Sequence, residues 1–192
     1  NEYIDNRGKI SNYELTEPIN LIGYIESKAG SVRANHYHPI QEQKCLLIKG
    51  KYVSVTKDLS SPNSEIESRI INPGDLSVIK PNVAHTMVFL EDSIFLNLVR
   101  GERDHDNYGI THTIPFILVD DQFRKDIISN YKRSCRSCDN MILKDIVSLG
   151  MSPLANNLIS DISEKVNLYP LEIKYCERCN NVQLSYVVPP SM

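Results

Sequence analysis

Three histidines and a glutamate in the first half of this 192-residue chain, and four cysteines in its last third, have the types and spacings of metal ligands. The first group lies in Gly30-Ser-Val-Arg-Ala-Asn-His36-Tyr-His38-Pro-Ile-Gln-Glu42. Side chains two apart on a strand share a face, so His36 and His38 point the same way. Glu42 comes after a short connection that can return its carboxylate to that face. Imidazoles with one carboxylate suit a divalent transition metal and leave positions for water or substrate. A second run, Pro73-Gly-Asp-Leu-Ser-Val-Ile-Lys-Pro-Asn-Val-Ala-His85, sets two turns and an apolar strand ahead of a third histidine. His85 would join the first pair if the strands close a barrel. Arg33 could grip a substrate phosphate with two nitrogens, or simply stand solvated at a strand end.

Cys135-x2-Cys138 and Cys176-x2-Cys179 are separated by 37 residues. Each C-x2-C turn can present two thiolates to one ion, and two such turns complete a tetrahedral, closed, structural zinc site. A site with no open position supplies folding energy rather than catalysis. The alternatives are free thiols or two local disulfides. Paired knuckles read as metal ligands in a reducing compartment, which points to the cytoplasm. Cys45 stands among Leu and Ile and reads as inert core. His105 and His112 fall in a polar segment after the last apolar strand and read as surface residues, with closure of a barrel mouth as the alternative.

The elements that must position these groups are mainly strands. Segments 19–25, 44–49, 52–56, 66–71, 76–80, 86–90 and 94–99 are rich in β-branched and aromatic residues. Turn formers separate them: Lys49-Gly50-Lys51, Ser61-Pro-Asn-Ser64, Asn72-Pro-Gly-Asp75 and Pro81-Asn82. Many short strands at close spacing indicate a β-barrel or sandwich. From Asp120 the period changes: Phe123, Ile127, Ile128 and Tyr131 recur at helical spacing behind two acids. This reads as a helix connecting two domains, or as one packed on the barrel. The expected division is a barrel over 1–122, a connecting helix or linker over 123–132 and a zinc-binding domain over 133–192.

Composition bounds the function. The chain is 41% hydrophobic and 23% charged, with a formal charge of −3, so no basic field draws in nucleic acid or an anionic membrane. No apolar run approaches the roughly 18 residues of a membrane helix, and residues 1–7 show no secretory signal. The missing initiator Met suggests an excerpt of a longer protein.

Two resemblances sharpen this. The spacing G-x5-H-x-H-x3-E-x7-G from Gly30 to Gly50 is similar to the first motif of the cupins, and G-x5-K-P-N-x2-H from Gly74 to His85 to the second. Lys80 stands where that family usually has proline, and Asn82 where it has glycine. The resemblance implies a cupin jelly roll with His36, His38, Glu42 and His85 as ligands of a divalent transition metal of unknown identity. Arg33-Ala-Asn-His36-Tyr-His38, with Glu42-Gln43 beyond, resembles the R-G-x-H-A-H…E-Q run of nucleotide-sugar 3,4-ketoisomerases. Asp92-Ser-Ile-Phe-Leu-Asn-Leu-Val99 and Asp106-Asn-Tyr108 echo later parts of that family. Those cupins use the histidine pair for proton transfer without a metal, and His85 is the departure from them. Cupins commonly form homodimers, which the resemblance carries over as an expectation. In the last third, Cys-Arg-Ser-Cys, Ser148-Leu-Gly-Met-Ser-Pro-Leu-Ala-Asn-Asn157 and Tyr169-Pro-Leu…Cys-Glu-Arg-Cys…Val-Gln-Leu resemble the zinc-binding N-terminal domain of sugar C-methyltransferases. No glycine-rich strand–turn–helix fingerprint comes after it, so methyl transfer by this chain itself is not expected.

Both halves thus resemble parts of deoxysugar pathways. The expectation is an isomerase or epimerase of a nucleotide-linked keto-deoxysugar in which His36, His38 and His85 act catalytically. The competing expectation is a non-catalytic sugar-binding or docking module serving a separate methyltransferase domain.

Overall fold

The structure is a computed structural model that describes all residues except 1, 6, 7, 16, 17, 20, 101–111, 157, 162, 165 and 189–192. His105, the segment Asp106–Tyr108 and Asn157 therefore lie outside the described residues. Two compact units emerge, Asn1–Glu67 with Ile71–Leu118, and Val119–Met192 with Ser68–Ile70. No helix among the described residues is long and apolar enough to cross a membrane.

The first unit is an antiparallel jelly roll. A hairpin of β1 (Glu2–Asp5) and β2 (Gly8–Ser11) opens the chain. One four-stranded sheet runs in the order β3 (Leu21–Ser27), β10 (Ser93–Val99), β5 (Gln43–Lys49), β8 (Leu76–Ile79). A five-stranded sheet runs β11 (Ile114–Pro115), β4 (Val32–Tyr37), β9 (Val83–Phe89), β6 (Tyr52–Asp58), β7 (Glu67–Ile71). Each strand sends alternate side chains inward. Cys45, Leu47 and Phe95 of the first sheet meet Tyr52, Ile71, Met87 and Phe89 of the second in one buried cluster. The Phe89 ring stacks near Phe95 at 5.9 Å and tilts against Tyr52 at 5.4 Å. The strand-rich reading is borne out, and Cys45 is core, as expected.

Turn chemistry matches turn geometry. In Lys80-Pro-Asn-Val83 the Val83 N–H reaches the Lys80 carbonyl at 3.2 Å, with Asn82 at φ 61. Asn72-Pro-Gly-Asp75 closes likewise at 3.0 Å, with Gly74 at φ 91. Both are type II turns, with proline second and a left-handed residue third. Asparagine tolerates that conformation, so Asn82 can stand in a glycine's place.

The second unit joins a helix to a small sheet. Helix α1 (Asp121–Asn130) is capped by Asp120, whose carboxylate accepts from the Phe123 N–H at 2.8 Å. Ile127 and Tyr131 are buried, whereas Phe123 is exposed. The helix end is tied to the unit's last strand: Lys132 N–H donates to Ser185 O at 2.6 Å and Val187 N–H to Asn130 O at 3.1 Å. The sheet runs β12 (Lys144–Ser152), β13 (Tyr169–Tyr175), β14 (Val182–Leu184). Its covered face is partly polar. Glu172 accepts from Ser185 Oγ at 3.0 Å, and Lys174 Nζ lies 3.5 Å from Asp145 and 5.1 Å from the Tyr131 ring centroid.

Candidate metal centres

The imidazoles come together through an irregularity in β4. Val32, Arg33 and Ala34 pair in sequence with Val88, Met87 and Thr86, but the partner of His85 is His36, not Asn35. Asn35 is an inserted bulge residue. Met87 faces the core and residues opposite each other share a face, so unbroken alternation from Arg33 would turn Asn35 and Tyr37 inward. The bulge moves that phase by one and turns His36 and His38 inward instead. It requires left-handed backbone at two successive residues, Ala34 (φ 71) and Asn35 (φ 57). Three bonds hold it. Asn35 Oδ1 accepts from Thr86 Oγ1 at 2.6 Å and from Leu118 N–H at 3.0 Å, and Asn35 O accepts from Phe116 N–H at 2.8 Å.

The result is a compact cluster. Ligand nitrogens of His36, His38 and His85 lie within 4.8 Å of one another. Ring centroids are 4.8 Å apart for His36 with either neighbour and 5.4 Å for His38 with His85. His85 is 2% exposed, and its Nδ1 lies 3.2 Å from the Val83 carbonyl. That carbonyl accepts a hydrogen bond, so Nδ1 carries the proton and Nε2 holds a lone pair. Nε2 is buried and meets no hydrogen-bond partner among the described residues. Burial, aided by His36, lowers the His85 pKa to about 3; burial and His38 lower that of His36 to about 4. Both rings are therefore neutral at pH 7, the form that binds a metal. His38 differs: Nδ1 is 3.2 Å from the His112 carbonyl and Nε2 is 3.1 Å from Gln43 Oε1. A ring donating to both oxygens carries two protons, and the neutral ring serves only one of them. An ion therefore fits at His85 and His36 as the rings stand, and at His38 once one of these acceptors gives way.

Glu42 stands outside the cluster, with its Oε1 2.5 Å from Nζ of buried Lys44. A lysine buried in β5 needs a counter-charge, and the nearest flexible carboxylate supplies it. Arg33 is exposed, and its guanidinium binds β3 through Nε to Ser27 Oγ (2.6 Å) and Nη2 to the Glu26 carbonyl (2.8 Å). These bonds use one edge of the guanidinium, and a bidentate grip on phosphate would fall to the other, Nη1 with the second Nη2 hydrogen. His112 brings its backbone carbonyl, rather than its ring, to the site. Gln43 enters the sequence reading only as the last letter of the E-Q run, with no role drawn from it; the structure sets its Oε1 against His38 Nε2.

The cysteines form the second centre. Sγ atoms of Cys135, Cys138, Cys176 and Cys179 lie within 4.8 Å of one another. Cys135 and Cys179 are 3.5 Å apart and Cys138 and Cys176 3.6 Å. A disulfide would need about 2.0 Å, whereas tetrahedral zinc with bonds of about 2.3 Å sets sulfurs about 3.8 Å apart. All four are free thiols. The Asn140 amide, ahead of the nearby backbone N–H groups, lowers the Cys176 pKa to about 6. The Asn181 backbone N–H favours the Cys179 thiolate, but Cys138, burial and the other two cysteines outweigh it and push the thiol up to about 12. Four thiols so crowded cannot all ionise without a cation among them, and zinc is the cation this donor set suits.

Fold and centres together define an antiparallel jelly roll with a three-imidazole cluster, carried in one chain with a unit that gathers four thiols. Residues 135–192 match the family described as "Putative zinc binding domain". A 60-residue stretch is 37% identical to C-methyltransferase NovU of Streptomyces niveus, covering 30% of this chain and 14% of that protein. The chain thus spans about one seventh of the curated relative it matches. The resemblance of the last third to the zinc domain of sugar C-methyltransferases is borne out. Among solved structures, the chain is similar to dTDP-4-dehydrorhamnose 3,5-epimerase from Sulfolobus tokodaii (23% identity, TM-score 0.47, covering 55% of this chain and 69% of that one). It is also similar to a 3,4-ketoisomerase from Helicobacter canadensis (24% identity, TM-score 0.47, covering 55% and 82%).

Proposed function

We propose that the barrel is a metal-dependent enzyme that isomerises or epimerises a nucleotide-linked keto-deoxysugar in the cytoplasm. The observation that carries this reading is the convergence of three imidazoles, with the buried Nε2 of His85 presenting a lone pair that no described residue uses. His85 and His36, with His38, would hold the ion. When bound, it supplies Lewis acidity at a substrate carbonyl. The chain's own residues do the rest. The Val83 carbonyl fixes the tautomer of His85. His38, where it is not itself a ligand, takes a proton from the carbon beside the ketone and the bond's electron pair moves to the carbonyl oxygen. The proton returns at the same carbon, or, once the adjacent hydroxyl has passed its own proton to that oxygen, at the former carbonyl carbon. Without an ion, His36 and His38 form the acid–base pair, with His38 held between Gln43 and the His112 carbonyl.

The test is incubation with dTDP-4-keto-6-deoxyglucose in deuterated water, then NMR, alongside metal analysis of the purified protein. Deuterium entering the carbons flanking the ketone, with loss in His36→Ala, supports catalysis. A bound ion lost in His85→Ala supports the metal. A second reading has its own support in the match of residues 135–192: a docking module that serves a separate sugar C-methyltransferase. No deuterium exchange across several keto-sugar nucleotides would favour that reading and refute the first.

A further inference from the structure

The two cysteine knuckles are built alike, and the likeness extends past the cysteines. Each reads Cys-x2-Cys-x-Asn: Cys135-Arg-Ser-Cys-Asp-Asn140 and Cys176-Glu-Arg-Cys-Asn-Asn181. In the first, Cys135 N–H donates to Asn140 O at 2.8 Å and Asp139 N–H to Cys135 O at 2.9 Å. In the second, Cys176 N–H donates to Asn181 O at 2.9 Å and Asn180 N–H to Cys176 O at 2.8 Å. Asp139 and Asn180, at matching places, are both left-handed, with φ 56 and 58.

The asparagine side chains then cross over. Asn140 Nδ2 lies 3.5 Å from Sγ of Cys176, in the opposite knuckle, and Asn181 Nδ2 lies 3.7 Å from Sγ of Cys135. Neither amide can be turned round, because each Nδ2 also faces an oxygen that needs a donor. For Asn140 that oxygen is the Ile142 carbonyl at 2.8 Å. For Asn181 it is Gln183 Oε1 at 3.1 Å, and Gln183 is itself fixed, accepting from Arg136 N–H at 2.8 Å and donating through Nε2 to Ser134 O at 3.0 Å. An N–H aimed at a thiolate withdraws charge from it and orients its lone pairs, the outer-sphere role that tunes a metal ligand.

We propose that Asn140 and Asn181 are the outer-sphere clasps of the zinc centre, each locking the first cysteine of the other knuckle, with Gln183 as the residue that fixes Asn181. This rests on the four-thiol zinc reading. The arrangement makes the two knuckles interdependent, since each completes the surroundings of a ligand in the other. Asn140 and Asn181 are positioning residues and do not touch the ion.

The experiment uses the full chain. Zinc content comes first: a protein that carries and takes up no zinc at the four cysteines overturns the zinc reading and the clasps with it. Zinc release into excess chelator is then timed for Asn140→Asp and Asn181→Asp, which keep size and the Oδ1 acceptor but replace the donor with an oxygen. Release about 10-fold faster for each is expected, from the general effect of outer-sphere partners on metal affinity. The cobalt-substituted protein supplies a readout that looser packing would not move: the thiolate-to-cobalt charge-transfer band should shift to lower energy as the N–H···S bond is lost. Gln183→Leu should speed release while Asn140→Asp still adds its full effect. Ser137→Ala, at an exposed side chain between Cys135 and Cys138, should match the parent. Release within twofold of the parent and unmoved bands in both aspartate variants would overturn the proposal. If an aspartate variant fails to fold in zinc, the serine variant at that position is read by the same two measures.

Discussion

Asn35→Ala removes one oxygen that two donors share. The Leu118 N–H and the hydroxyl of fully buried Thr86 both end on Asn35 Oδ1, so the substitution leaves two donors to find new partners. A buried donor left unsatisfied costs about 1–3 kcal/mol. Alanine at a φ of 57 adds roughly 1 kcal/mol, because its Cβ crowds the carbonyl in left-handed backbone. Two such donors at the low end of that range, together with the backbone strain, give about 3 kcal/mol or more, a large share of the roughly 5–15 kcal/mol that holds a domain together. The neighbouring Ala34→Gly should act oppositely. It relieves the same crowding at φ 71 and returns part of the gain as glycine's extra unfolded-state freedom, for a net stabilisation of about 0.5–1 kcal/mol. Because the chain has two units, a single melting curve would mix them, so amide hydrogen exchange resolved by peptide is the better assay. Peptides covering 32–38 and 83–89 should exchange at least about 100-fold faster in Asn35→Ala, since 1.4 kcal/mol corresponds to a factor of ten. They should exchange severalfold slower in Ala34→Gly. Protection in Asn35→Ala within a factor of three of the parent, or faster exchange in Ala34→Gly, would refute the account of the bulge.

Single residues carry two further expected outcomes. At Gly50, between β5 and β6, an added Cβ would stand 2.2 Å from Ser93 Oγ and 2.6 Å from the Asp92 carbonyl, with φ at 87. Gly50→Ala should therefore cost about 3 kcal/mol or more, while Gly74→Ala, where the nearest atom is 3.7 Å away, should cost only the left-handed penalty of about 1–2 kcal/mol; equal shifts in denaturation midpoint would contradict this. In metal-free protein, the depressed pKa values of His85 (about 3) and His36 (about 4) make the unfolded chain bind more protons from pH 6.5 down to about 4 on account of His36 and down to about 3 on account of His85. Barrel stability should thus be fully present above pH 6.5, fall as pH drops through that window and level off below it. His85→Gln should flatten the slope seen in urea titrations at pH 7.5, 6, 5 and 4.5, and a flat parent profile would count against the neutral-imidazole site.

Much of this was legible in the residue order. Apolar alternation and closely spaced turns located the strands. The Pro-Asn and Pro-Gly pairs announced turns, and the two C-x2-C pairs announced their cluster. The residue order did not reveal phase. His-x-His guarantees a shared face but not which one, and the deciding feature is a bulge that two non-glycine residues enter by adopting left-handed backbone. Glu42 stands apart from the imidazoles for a related reason. Spacing gives the reach of a carboxylate but not the competitor that claims it, and the buried ammonium of Lys44 claims this one. Asn140 and Asn181 hold matching places, Cys-x2-Cys-x-Asn, that spacing alone gave no role; their targets lie across the centre, and only the fold brings the two halves of that exchange together.

The inserted residue in β4 has a bearing on redesign. Straightening β4 with Asn35 kept would reverse the orientation of every later side chain in that strand, delivering Tyr37 inward and the histidine pair outward, whereas deleting Asn35 would remove the insertion itself and leave His36 opposite His85. A barrel borrowed as a host for this trio of rings needs more than the letters H-x-H, because they must fall in the phase that faces inward. The part to transplant is the kink, with the threonine hydroxyl and the two amides that pin it, because direction is encoded there and chemical identity only in the histidines.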